Sequence, residues 1–116
     1  MREKQEIVEV TSAELFRRAR DLAREGSRLV QISCLEEAGF RVDYSFDRDY
    51  RFLTLRLRVA PESPRIASLS GIYAAALHYE REIRDRFGLA VEGLDAGGDR
   101  PLYRIAAKAP FRKEVT

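Results

Sequence analysis

Three carboxylates within six residues, Glu80, Glu82 and Asp85, are the densest set of groups in this chain that could move a proton. Paired carboxyl groups share general acid and base work when their surroundings drive their pKa values apart. Here arginines are interleaved with them, Arg81, Arg84 and Arg86. Glu80 with Arg84 and Glu82 with Arg86 stand four apart with the acid first, the favourable helical order, and Arg81 with Asp85 is the reverse pair. Ion pairing along one face is the nearer explanation, each pair worth a few tenths of a kcal/mol. The other reading of the same charges is a surface that meets a partner.

The remaining inventory is thin. His78 is the only histidine, so neither a multi-histidine metal site nor a cysteine–histidine dyad can be argued, and beside a helix it reads as a surface residue. Cys34, the single cysteine, rules out an internal disulfide and fits a reducing cytosol. Inside a predicted core strand its thiol behaves as a small hydrophobe. Gly97-Gly98 lacks the strand-to-helix setting and the Lys or Ser of a phosphate loop. The sequence therefore assigns no catalytic, cofactor-binding or metal-ligating residue, and no cofactor.

The element that must carry the carboxylates is a helix. Ile72, Ala76, Tyr79, Ile83 and Phe87 recur at three- and four-residue steps, one apolar face over 72–87, with the charges opposite. Gly88 supplies the left-handed residue that ends it. Upstream, Thr11-Ser12-Ala13-Glu14 is a capping box opening a helix to about Glu25, with Leu15, Phe16, Ala19, Leu22 and Ala23 inward. Glu6 to Val10 predicts a short strand, and Leu29 to Leu35 a strand covered on both faces. Phe40, Val42, Tyr44 and Phe46 alternate with polar residues, as do Leu53, Leu55, Leu57 and Val59, with Asp47-Arg48-Asp49 as the turn between. Pro61 and Pro64 break the chain, and Ile66 to Leu69 reads as a fourth strand of the meander. The expected fold is α+β, a two-layer arrangement of a mostly antiparallel sheet packed by two helices. Residues 1–93 form one domain, and 94–116 an extended basic C-terminal arm.

Within that arm, Arg100 to Lys113 contains five basic residues and no acidic one. Arg100, Pro101, Tyr103, Arg104, Lys108, Phe111 and Arg112 mix charge with apolar and aromatic groups, which suits docking on another surface better than remaining in water. A frayed tail is the plain alternative, and single-stranded nucleic acid a third reading. The net charge of +2 argues against nucleic acid as a partner, and no apolar run approaches the ~18 residues a membrane span needs.

The string Glu80-Arg81-Glu82, then Asp85, Phe87 and Gly88, resembles the signature of the respiratory-chain NADH dehydrogenase 30 kDa subunit family. That family spans bacterial complex I and shorter relatives in energy-converting nickel-iron hydrogenases and formate hydrogenlyases. Pro64 to Leu69, Glu92-Gly93 and Asp99 to Tyr103 extend the resemblance. Leu77-His78 replaces the family's usual aromatic, and Arg86 stands where an apolar residue is usual. The resemblance implies a non-catalytic accessory subunit of a membrane-associated oxidoreductase complex, cytoplasmic and held at the inner membrane through its partners. It also implies contact with a large catalytic subunit, near an iron-sulfur small subunit. Glu80, Arg81, Glu82 and Asp85 would be the polar framework of the interface, with Phe87 an anchor beneath and Gly88 the helix stop. The alternative is a stand-alone binding module that takes an acidic ligand or nucleic acid through the basic arm.

Overall fold

Alternation builds the centre of the sheet in the computed structural model, which describes residues 4–94. Strand β3 (Phe40–Arg48) turns Val42, Tyr44 and Phe46 inward, each 1% exposed or less. Strand β4 (Arg51–Val59) buries Leu55, Leu57 and Val59 on the same face. The two pair antiparallel with Arg48 opposite Arg51, so the turn is the two residues Asp49 and Tyr50, at φ 51° and 65°. Such a left-handed pair matches the twist of the strands it joins. The turn expected at 47–49 thus shifts forward, because Asp47 and Arg48 keep their place in the ladder.

Strand β1 (Lys4–Val10) lies parallel to β4, and β2 (Arg28–Glu36) pairs antiparallel with β3, giving the order β1-β4-β3-β2. Helix α1 (Ser12–Arg24) connects the two edge strands and buries Leu15 and Ala19. Its capping box forms as expected, with Thr11 N–H donating to Glu14 at 2.9 Å and Glu14 N–H to Thr11 Oγ1 at 3.2 Å. The fourth strand of the sheet is therefore β1 and not residues 66–69. Those residues contribute β5 (Arg65–Ala67), which pairs in parallel with β6 (Ala90–Glu92) in a separate two-stranded sheet. A parallel pair needs a crossover between its strands, and helix α2 (Ala76–Phe87) is that crossover.

Strand β2 is not covered on both faces: Leu29 and Ile32 are buried, but Leu35 is 44% exposed. A bulge between Leu29 and Gln31 shifts the side-chain phase, which is why the apolar residues here do not alternate. Beyond it, Gly39 at φ 115° brings the chain so near β4 that a Cβ would stand 2.5 Å from the Val59 carbonyl oxygen. Helix α2 begins four residues later than the periodicity suggests. Ile72 and Tyr73 both donate to the Leu69 carbonyl, at 2.9 and 2.8 Å, making a turn before Ala76. It ends as expected, with Gly88 at φ 76° donating to the Arg84 carbonyl. Both helices share one core with the sheet, which runs on through Leu89, Val91 and Leu94. Phe87 meets Phe40 edge-on at 6.2 Å.

Candidate interaction surface

Helix α2 divides the carboxylates between its two sides. Glu80 is fully buried. Its carboxylate accepts from the Ser68 hydroxyl at 2.6 Å and from the Leu69 backbone N–H at 2.7 Å. Ser70 N–H in turn donates to Ser68 Oγ at 3.0 Å, so one side chain fastens the start of the connection from β5 to α2. The outward position expected of Glu80, and its pair with Arg84, are corrected by this geometry. Position 80 lies four residues after Ala76 and three before Ile83, both buried, so the helical period carries it to the core. Burial raises the Glu80 pKa, while the bonds from Ser68 and Leu69 pull it back without cancelling the rise. Nearby, the Tyr44 hydroxyl is buried with no hydrogen-bond partner among the described residues. Burial first, then Glu80, then Cys34 hold that phenol far above its ordinary range.

The outer side carries Glu82, Asp85 and Arg86, all exposed. Glu82 and Arg86 form no ion pair with each other, and Asp85 pairs with Arg84 at 3.0 Å and not with Arg81. Of the expected framework, Glu82 and Asp85 face outward, Arg81 is half-buried, and Glu80 is in the core. Phe87 is half-buried against Phe40 and Gly88 is buried at the helix end, so both hold the fold. His78 is exposed beside Tyr79. The Cys34 thiol is pushed up to about 11, by burial and then Glu36, which keeps it a neutral thiol at physiological pH. No group of three or more potential metal ligands exists among the described residues, and no described helix is long and apolar enough to cross a membrane. The arm residues Arg100, Pro101, Tyr103, Arg104, Lys108, Phe111 and Arg112 lie outside the described residues.

The open face of the large sheet carries a charge ladder that sequence reasoning missed. Arg56 holds Asp43 through two bonds of 3.0 and 3.1 Å. Arg41 stands 3.6 Å from both Asp43 and Glu37, and Arg58 joins Glu37 at 3.3 Å to Glu9 at 3.2 Å. The polar half of each alternating strand signalled such a face, but only the register that sets Asp43 opposite Arg56 pairs the charges. A cleft of about 560 Å³ between α1 and the end of the sheet mixes Arg18, Arg48 and Arg51 with Glu6, Asp21 and Glu25. Its charges balance, three arginines against three carboxylates.

Two solved structures share this fold. One is the trypsin-resistant fragment of Nqo5, residues 1–134, with a TM-score of 0.68 and 23% identity, covering 76% of this chain and 79% of that one. The other is a chain of the membrane-bound sulfane sulfur reductase, described as an archaeal respiratory membrane complex, with a TM-score of 0.71 and 22% identity. That match covers 79% of this chain and 59% of the other, so this chain spans little more than half of that relative's length. A comparison with curated proteins gave no match. The family model for the 30 kDa subunit of respiratory-chain NADH dehydrogenase matches residues 8–116, nearly the whole sequence, and the chain belongs to that family.

Proposed function

We propose that this chain is a non-catalytic accessory subunit of a membrane-associated hydrogenase or NADH-quinone oxidoreductase-type electron-transfer complex. It docks on the large catalytic subunit, with an iron-sulfur subunit nearby, and reaches the membrane through those partners from the cytoplasmic side. The observation that carries this reading is the family match over residues 8–116. The disposition of the carboxylates supports it. Glu80 is taken up by Ser68 and Leu69 and Asp85 by Arg84, so these groups serve structure and not proton transfer. Glu82 and Arg86 remain on the outer side of α2. Charges so placed give an interface its orientation and specificity more than its raw affinity.

The experiment is co-expression with the cognate large catalytic subunit and recovery through a tag on this chain. The double charge reversal Glu82→Arg with Arg86→Glu should lower recovery about tenfold, the ~1.4 kcal/mol expected of a disturbed charged rim. Thermal unfolding of the isolated variant should match the wild type. Unchanged recovery would remove α2 from the interface. Failure of the wild-type chain to recover the large subunit would sink the accessory-subunit reading itself.

A further inference from the structure

Among the described residues strand β2 pairs with β3 on one side only, so that edge of the four-stranded sheet ends in backbone groups no described strand takes up. Its first half is closed from the α2 side. The Tyr73 hydroxyl donates to the Ser27 carbonyl and the Tyr79 hydroxyl to the Val30 carbonyl, each at 2.8 Å, around the bulge. From Ile32 to Glu36 no described side chain provides such a cover, and Ser33, Leu35 and Glu36 are exposed. Alongside this half runs a groove of about 210 Å³ between β2 and α2. Ile32, Cys34, Ile83 and Phe87 make its apolar floor, and Glu82 and Arg86 stand at its rim. Neither rim charge has an ion pair among the described residues.

We propose that the Ile32–Glu36 edge of β2 accepts an extended segment of a partner subunit, which adds to the sheet as a further strand. An edge strand offers donors and acceptors at strand spacing, and an extended backbone is the chemistry that satisfies both. The segment places an apolar side chain on the floor between Cys34 and Ile83. It carries a carboxylate for Arg86 and a cation for Glu82, four residues apart on the facing helix. An apolar floor inside a charged rim is the anatomy of a protein interface. The two tyrosine caps confine the added strand to the half of the edge beyond the bulge.

This inference rests on the subunit reading above, and the test separates the two. Hydrogen exchange is measured on the full chain, alone and within the native complex isolated through an affinity tag on this chain. Those amides of residues 32–36 that point away from β3 should exchange at least tenfold more slowly in the complex, while those of β1, at the opposite edge, stay unchanged. Arg86→Glu should reverse much of that protection without altering exchange in the isolated chain. A complex that assembles with residues 32–36 exchanging as in the free chain overturns the edge site alone. A chain that brings down no partner subunit overturns both readings. Protection that appears in the isolated chain and rises with its concentration identifies a second copy as the occupant, and overturns the proposal in favour of self-pairing.

Discussion

Helix α1 starts on a cap closed within four residues, Thr11 and Glu14 exchanging bonds at an exposed end. Helix α2 starts on Ala75, which offers no side-chain bond, and the turn before it is held from inside by Glu80, reaching back 11 and 12 residues to Leu69 and Ser68. The first device is local and wet, so water competes for each of its groups and breaking it costs little. The second is buried. Removing its carboxylate leaves the Leu69 N–H without an acceptor in the core, which costs the full desolvation of that donor. A helix start can therefore be fixed weakly by its neighbours in sequence or strongly by the fold, and this chain uses one of each.

The largest expected effect is at Glu80. Glu80→Ala should destabilise the domain by about 3 kcal/mol, read from the urea midpoint at constant slope. A loss no greater than that of a surface cap would break the contrast. The same residue makes a signed prediction with pH. Its folded pKa lies above the ordinary 4.5, so the folded state holds the proton more tightly than the unfolded chain does. Stability from this group is therefore fully present below 4.5, falls as pH rises from there to the folded value, and stays lower above it. Glu80→Gln, which cannot ionise, should remove that fall, so that the gap between wild type and variant changes over this window and is flat on either side. Parallel curves at all pH values would show that burial does not perturb the carboxyl.

Next in size is the local cap. Thr11→Ala should cost about 1 kcal/mol, and its effect should add to that of Glu80→Ala, since the two sites share no partner. Tyr44→Phe should go the other way. Deleting a buried hydroxyl that has no partner among the described residues removes a desolvation penalty, so the variant should gain up to about 1 kcal/mol in the same denaturation experiment. A loss would mean that this hydroxyl is bonded in solution, with the Glu80 carboxylate as the first candidate.

The same contrast explains which parts of the molecule are legible in the sequence. The α1 cap, the alternation of β3 and β4 and the Gly88 stop are each written in residues that lie next to one another, so composition and spacing suffice. The helical period of Ala76 and Ile83 points Glu80 inward, but the Ser68 and Leu69 donors that let its carboxylate stay there lie outside the helix, and the arginines beside it in sequence favour the outward reading. The bulge in β2 resets the phase on which strand patterns are read, and so hides the exposure of Leu35. Strand β1 takes the fourth place in the sheet because it can pair in parallel with β4, some 47 residues away, as in the match of Lys4 with Arg51. The three-residue β5 instead finds its partner across α2, in β6. At the start of α2, residues 72–75 keep the helical period but the Leu69 carbonyl draws both available N–H groups into a turn. The outward part of the signature, Glu82 with Asp85, is legible from spacing; its division into a buried lock and an exposed rim is not.

The smallest effect sharpens that division. Glu82 and Arg86 have the spacing and order that favour an ion pair on an isolated helix, yet they make none, and both stand at the rim of the groove beside β2. On an exposed surface the attraction between two such long side chains barely exceeds the entropy of holding them together. Glu82→Ala and Arg86→Ala should each change stability by less than about 0.5 kcal/mol, and the double variant should equal their sum within about 0.3 kcal/mol. A coupling above that would mean the pair forms in solution and that the rim is occupied by its own charges. Additivity in the isolated chain, together with loss of partner recovery on charge reversal, would separate the two sides of α2 by experiment: Glu80 sets how firmly the helix is held, and Glu82 and Arg86 set what it meets.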